Sequence, residues 1–378
     1  MTTGTRTTYT DTTPQKRSLA EMIQMIDWKE AALLNLLGLN GETKFRLLNF
    51  PRTKVEWLQD EMSPRSGTVN EALDSSETGV DVASGQGDYL KVGDVIKVDN
   101  ELMLVSSVST DTATVVRGFA GTTAASHSDQ AAWEIVTSAR NEGADFATGH
   151  TTVVENPYNY TQILSEAVKV TGSEQADQKY GISDTMAYHI GKLFTDGGKA
   201  GKLPILLQKT FYHGRRAAGS ASTPRAMGGF EQYVTTNVTN LSSAALTRKS
   251  IEDMMEDCFQ AGGSPTTLIT NSWGMRKISS FYEGTISTDR SEARGGSKIT
   301  TIVTDFGDIE VIFDKWCPTD RVYLIDPAKM GWVTYRAFDT VDRASTGDYM
   351  VKDVLGEYSF ILQNEDAHGY IYGMSTTS

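Results

Sequence analysis

Apolar and polar positions divide the chain into stretches of different character. Residues 1–17 are polar and lack periodicity, and they read as a flexible arm. From Ser18 to Leu39, Leu19, Met22, Ile23, Met25 and Ile26, then Leu33, Leu34, Leu36 and Leu37, fit helical spacing, with Gly38 placed as a C-cap. An arm carrying such a helix is expected either to dock on a neighbour or to pack on its own core. Val55 and Trp57 alternate with Lys54 and Glu56, and Gly, Ser and Asp then dominate from Ser63 to Asp81. That pattern predicts a short strand running into a long loop or the flank of an insertion.

Residues 88–137 form a block of strand-length apolar runs: Tyr89 to Val98 around a Gly93-Asp94 turn, Glu101 to Val108, Ala113 to Val116, and Ala131 to Val136. Short runs at this spacing, joined by Thr, Ser and Gly, predict a small all-β module. Arg117 to Thr122 reads as a tight turn; no helix follows it, so a phosphate-binding role is not favoured. Ile163, Ala167, Val168 and Val170 fit an extended segment ending at Gly172. It returns from an excursion begun near Val55, which makes the β block an insertion within a long loop.

Residues 183–217 read as helical, capped by Ser183 or Asp184, with Met186, Ile190, Leu193 and Phe194 on one stripe. Leu203, Ile205, Leu206, Phe211 and Tyr212 continue the pattern. Gly197, Gly198, Gly201 and Pro204 predict a break at 196–204, with Pro204 in the first turn of a second helix. A further helix is expected over 247–261, capped by Thr247, carrying Ile251, Met254, Met255, Cys258 and Phe259, and stopped by Gly262-Gly263. Leu268 to Thr270 reads as a buried strand, and Ser272 to Tyr282 as a short helix. The C-terminal third is β-rich: Ile299–Thr304, Ile309–Phe313, Val322–Ile325, Lys352–Gln363 and Gly369–Met374. The fold class is α+β.

Composition narrows the function. A chain of 378 residues is expected to hold two or more packed units. A net charge of −13 makes it a poor candidate for wrapping DNA, although a repulsive wall can enclose DNA without gripping it. Cys258 and Cys317 are far apart and outside any Cys-x-x-Cys pair, so neither a disulfide framework nor a zinc ribbon is expected. No apolar run reaches the roughly 18 residues of a membrane span, and no secretory signal is visible in the Thr-rich start. A protein made in a cytoplasm is the reading.

Catalytic chemistry finds little support. Gly197 to Lys202 resembles a phosphate loop, but Asp196 stands where the first Gly belongs and Leu203 where a hydroxyl belongs. The five histidines, His127, His150, His189, His213 and His368, form no zinc-hydrolase spacing, and no Gly-x-Ser-x-Gly elbow exists. Asp305/Asp308 and Glu252/Asp253 suit turn and helix-start positions better than acid–base work. The densest basic cluster, Lys209, Arg215, Arg216 and Arg225, reads either as a contact to enclosed DNA or an acidic neighbour, or as a solvated helix end. No enzyme, cofactor or metal is expected.

A positive argument comes from ordered motifs. Asn159 to Ile163 with Val168 to Gly172, Ser183 to Tyr188, Thr223 to Phe230, Leu268 to Asn271, Thr304 to Val311, Tyr323 to Asp326, Gly356 to Ser359 and Asn364 to Gly369 follow one another over about 150–378. Each is weak alone. In this order they resemble the tailed-phage major head proteins of the HK97-like fold, SU10-like group. The resemblance implies an N-terminal arm (1–50), an E-loop region (51–180) with the inserted module at about 88–137, a P-domain with a spine helix (181–237), an A-domain (238–345) and C-terminal P-domain strands (346–378). The break at 196–204 departs from a continuous spine.

The function so implied is self-assembly into an icosahedral or prolate head shell around double-stranded DNA, built of hexamers and pentamers in the cytoplasm of a bacterial host. Partners would be further copies, a separate scaffolding protein, a portal and a decoration protein, with no membrane and no sequence-specific DNA contact. Trp57, Tyr158, Tyr160 and Ile163 are the candidate intersubunit contacts. Two alternatives stand: an encapsulin-like compartment, and a surface-binding protein whose β module takes glycan. The Thr/Ser/Gly-rich module suggests an outward orientation.

Overall fold

The computed structural model describes residues 46–60, 64–143, 152, 154–177, 179, 182–193, 201–281 and 301–376. The arm and its helix at Ser18–Leu39, the centre of the expected break at 196–204 and the residues just before Thr301 lie outside the described residues. The chain divides into two compact units, Met1–Leu58 with Asn156–Ser378, and Gln59–Glu155.

In the first unit a helix forms where the apolar spacing predicts it. Lys202–His213 buries Leu203, Pro204, Leu207, Gln208, Phe211 and Tyr212, a stripe that recurs at three to four residues, with Pro204 inside its first turn. The preceding helix, Thr185–Leu193, is capped by Asp184, whose carboxylate accepts the amides of Met186 (2.8 Å) and Ala187 (3.2 Å). Phe211 and Tyr212 meet Phe230, Tyr323 and Phe360 in the main core. Each such side chain contributes about 1.5–3 kcal/mol by leaving water.

Two sheets flank that core. One has four strands in the order Arg46–Leu48, Met330–Arg343, Tyr349–Leu362, Gln162–Thr171. Its centre is a 14-by-14-residue antiparallel hairpin. Register shifts between Thr334 and Asp339 bulge the first strand, and Phe338 folds over Gly356 on the second. A Cβ at Gly356 would stand 2.5 Å from the Phe338 ring, so only glycine fits there. The second sheet has six strands in the order Val238–Asn240, Gly369–Tyr372, Val322–Ile325, Thr267–Thr270, Gly307–Phe313, Thr301–Thr304. Helix Arg248–Gln260 lays Ile251, Met254, Met255 and Cys258 on the core shared with Leu268, Ile309 and Leu324. Thr247 caps it and Gly262, at φ +81°, ends it, as the spacing predicts.

Two expectations need correction. The Met330–Arg343 strand appears nowhere in the sequence reading. It pairs with Tyr349–Leu362, while Gly369–Tyr372 joins the other sheet beside Val322–Ile325, so a boundary at 345 falls inside a hairpin. The β module is also wider than 88–137. Its six-stranded antiparallel sheet runs Ser66–Thr68, Ala132–Ser138, Asp94–Val98, Glu101–Ser109, Thr112–Val116, Gly79–Asp81, and so takes both edges from a stretch read as a long loop or the flank of the insertion. Those edge strands have three residues each, and Val80 is the one buried apolar residue in Gly79–Asp81. Alternation over three residues is not a visible period. The core of the module, with Val69, Leu73, Val80, Leu90, Ile96, Met103, Val105, Val115 and Trp133, comes entirely from Gln59–Glu155.

Candidate subunit-contact residues

The candidate contact residues sit where the chain leaves the first unit and returns to it. Lys54–Glu56 and Tyr158–Tyr160 pair antiparallel, which brings the two ends of the excursion side by side. Trp57, expected as an intersubunit contact, is instead 6% exposed and packs on Tyr233 with Val55, Val333 and Ile361 around it. Tyr158 is half-buried. Its ring lies 3.9 Å from the Arg216 guanidinium and 4.2 Å from the Lys54 ammonium, a cation–π arrangement. Tyr160 meets Tyr158 edge-on. Ile163 is 50% exposed and offers solvent an apolar side chain.

The basic cluster divides. Arg216 donates to the Tyr158 carbonyl (2.7 Å), and Arg225 donates to the Thr161 carbonyl (2.7 Å) and pairs with Glu357. Both are committed to holding the fold. Lys209 and Arg215 are exposed, with the Lys209 ammonium 5.0 Å from the Trp316 ring, and these two remain turned to solvent.

The segment Asn159-Tyr160-Thr161-Gln162 acts as a polar latch. Buried Asn159 accepts the amides of Gly228 (2.9 Å) and Tyr160 (2.8 Å) and donates to the Phe360 carbonyl (3.0 Å). Thr161 donates to Glu357 (2.5 Å), and Gln162 accepts the Met227 amide (3.1 Å). Glu357, 2% exposed, also takes Arg336 at 2.9 and 3.0 Å. Two distant stretches and the neighbouring hairpin strand thereby converge on one carboxylate. The sequence reading missed Glu357; the available signal was a charged residue inside the apolar run Val354 to Leu362.

A second buried carboxylate, Glu101, organises the β module. It accepts Arg117 through both oxygens (2.8 Å each), the amides of Gly118 and Ala125 (2.9 Å each), and faces His127 Nε2 at 3.0 Å. Burial works to raise this carboxyl, but the bonds from Arg117, Ala125, Gly118 and His127 outweigh it and hold it well below the usual range. The Arg117–Thr122 turn is thus spent on structure, since the Gly118 amide that a phosphate would need is already occupied. A groove of about 690 Å³ on this module is lined by Arg65, Tyr89, Lys91, Asp94 and Thr137 among others.

Several apolar side chains stand in water. Phe259 is 54% exposed and Val303 71%, both on the six-stranded half, where Phe259 leans on Phe306. Val341 and Met350 are 47% and 45% exposed on the far half of the long hairpin. Burial fails there: the near end of Tyr349–Leu362 is covered on both faces, whereas Arg336–Arg343 is largely open. No convergence of nucleophile, base and oxyanion donors is found among the described residues.

No curated protein matches the sequence. Solved structures similar in fold include the capsid of cyanophage A-1(L), at 11% identity with 98% of this chain and 99% of that chain covered and a TM-score of 0.61. The capsid of a native GTA particle follows at 9% identity, 95% coverage of each chain and a TM-score of 0.51. A chain of Mycobacterium phage Bobi is similar at 10% identity, 95% coverage of each and 0.50. These identities speak for the fold alone, which is the HK97-like capsid fold. The family model described as "SU10 major capsid protein" matches residues 1–375, so nearly the whole chain, arm and module included, belongs to that family of shell-forming head proteins.

Proposed function

We propose that copies of this chain assemble, as hexamers and pentamers, into a closed phage head around double-stranded DNA. The observation that carries the reading is the family match over residues 1–375. Exposed apolar side chains on the hairpin and the six-stranded half, Val341, Met350, Phe259 and Val303, are surfaces that a neighbour would cover. In this reading residues 51–180 act as the E-loop region, 181–237 with the hairpin strands as P-domain, and the six-stranded half, 238–345 without Met330–Arg343 but with Gly369–Tyr372, as the A-domain around the symmetry axes. Contacts between copies are heterologous and close into rings. Ile163 keeps its proposed place as an intersubunit contact, and Lys209 and Arg215 theirs as contacts to DNA or an acidic neighbour. A scaffolding protein, a portal and a decoration protein complete the set of partners, and assembly takes place in the host cytoplasm.

Electron microscopy of the purified protein, with and without a co-expressed scaffold, tests this. Shells or rings of five and six subunits are expected. Monomers under every assembly condition would overturn it.

A further inference from the structure

The groove on the β module is built into its sheet. Strand Ala132–Ser138 shifts register against Asp94–Val98: Val95 faces Thr137 and Ile96 faces Ile135. Val136 is therefore the extra residue of a bulge, and it stands 53% exposed on the groove. On its other side the same strand is paired only from Ala132 to Glu134, after which the Ile135 amide donates to the Arg65 carbonyl (2.7 Å). Beyond Ile135 no described residue pairs with that edge.

The turn Lys91-Val92-Gly93-Asp94 supplies more of the lining, and it is held rigidly. Gly93 has φ +94°; its amide donates to the Val105 carbonyl (2.9 Å), and its carbonyl accepts the Ala139 amide (2.7 Å) and the Ser138 hydroxyl (3.2 Å). Asp94, 6% exposed, accepts the Lys91 amide at 2.9 Å and lines the groove from this fixed position. Tyr89, just before the turn, is half-buried and adds an aromatic ring.

A volume of about 690 Å³ is that of a small-ligand site. Its chemistry is mixed. Arg65 and Lys91 offer donors, Asp60 and Asp94 acceptors, and Thr137 and Ser138 groups that do both. Arg65 and Lys91 form no ion pair among the described residues, so their donors are available. A polyanion fits poorly, because two carboxylates stand among the two cations, in a unit with 16 acidic residues against 5 basic. An added peptide strand fits poorly as well, because the open edge is short and bulged. Sugar hydroxyls both donate and accept, which matches interleaved donors and acceptors, and the apolar face of a pyranose ring stacks on an aromatic side chain.

We propose that this groove binds a short neutral oligosaccharide: Tyr89 is the stacking platform, and Arg65, Lys91 and Asp94 hold the hydroxyls. The module is then a binding unit carried by a shell-forming chain. The site lies within one chain, so its test is independent of assembly.

The full-length protein, as particles or as free subunits, is applied to an array carrying maltotriose, cellotriose, chitotriose and other short neutral oligosaccharides beside sulfated ones and extended peptides. Retention on neutral sugars is expected, and the tightest of them is then titrated against variants. Tyr89→Ala and Arg65→Ala should each weaken binding by about tenfold. Tyr89→Phe, which keeps the ring, and Asp129→Asn, an exposed position outside the groove, should bind as the parent does. Unchanged hydrogen exchange over Asp94–Val98 verifies that the variants keep the module folded. No retention on any neutral sugar, or equal affinity in Tyr89→Ala and the parent, overturns the proposal. So does a preference for sulfated chains, which marks a polyanion site, or for peptides, which marks strand addition.

Discussion

The two units are each organised around a buried glutamate paired with arginine, but they recruit its partners differently. Glu101 draws on Arg117, Gly118, Ala125 and His127, all within 26 residues of it. Glu357 draws on Thr161, Arg225 and Arg336, with Thr161 standing 196 positions away. A locally assembled cluster costs little loop-closure entropy and needs nothing from the rest of the chain. A latch that ties the remote Thr161 and Arg225 stretches to the Arg336–Glu357 hairpin forms only when the whole unit is in place. The module is therefore expected to fold as a self-sufficient insert, and the remainder as one cooperative body whose polar centre reports on its completeness.

The largest expected effect is at Glu101. Replacement by alanine leaves Arg117, whose side chain is 7% exposed, without its counter-charge, a loss of about 3–5 kcal/mol. Hydrogen exchange should show the module opening while Gln162–Thr171 and Tyr349–Leu362 stay protected; equal loss in both would break the contrast. Glu357→Gln should cost less, about 1.5–3 kcal/mol, because Arg336 is 47% exposed and can turn to water. Denaturant unfolding should show that loss with the module's protection unchanged.

Acid sharpens the same contrast. Burial, aided by the Lys329 charge, pushes the His368 imidazole from 6.5 down to about 3. The ring stays neutral in the folded protein while the unfolded chain takes up a proton below about 6.5. Stability complete above that pH is lost as the pH falls, by about 2 kcal/mol at pH 5. Glu101, held low, begins to lose its contribution only as the pH falls into the ordinary carboxylate range. The larger unit should thus weaken before the module. Burial pushes the Asp314 carboxyl up, which acts in the opposite sense, so the pH slope of His368→Gln compared with the parent isolates the histidine. An identical slope in both proteins would refute the assignment. The smallest effect is Thr247→Ala, which removes the bond that the Thr247 hydroxyl accepts from the Ser250 amide (3.1 Å) and about 1 kcal/mol of helix stability, measurable as a lower midpoint without change in the module.

The basic cluster shows where reading side chains from sequence stops. Lys209, Arg215, Arg216 and Arg225 lie within 17 positions, and nothing in their spacing separates Arg216 and Arg225, spent on Tyr158, Thr161 and Glu357, from the two that face solvent. Trp57 teaches the same lesson: beside the charged Lys54 and Glu56 it reads as a contact offered outward, yet the ring of Tyr233, 176 positions later, covers it.

What the sequence determined by itself were features carried by local physics. Helices 202–213 and 248–260 follow from apolar spacing, a threonine cap and glycine stops, each acting within a few residues. The β character of 94–138 follows from alternation, and the excursion between Val55 and Asn159 from the change in composition around it. The order of motifs was enough to point to the capsid family. Tertiary structure alone decided the sheet edges at 66–68 and 79–81, which are too short to show a period, and the Met330–Arg343 strand, whose alternation is interrupted by a bulge. It also decided the two buried glutamates. A carboxylate in the sequence is equally a surface charge or a structural centre, and only the partners that folding brings to it, near in the chain for Glu101 and far for Glu357, settle which it becomes.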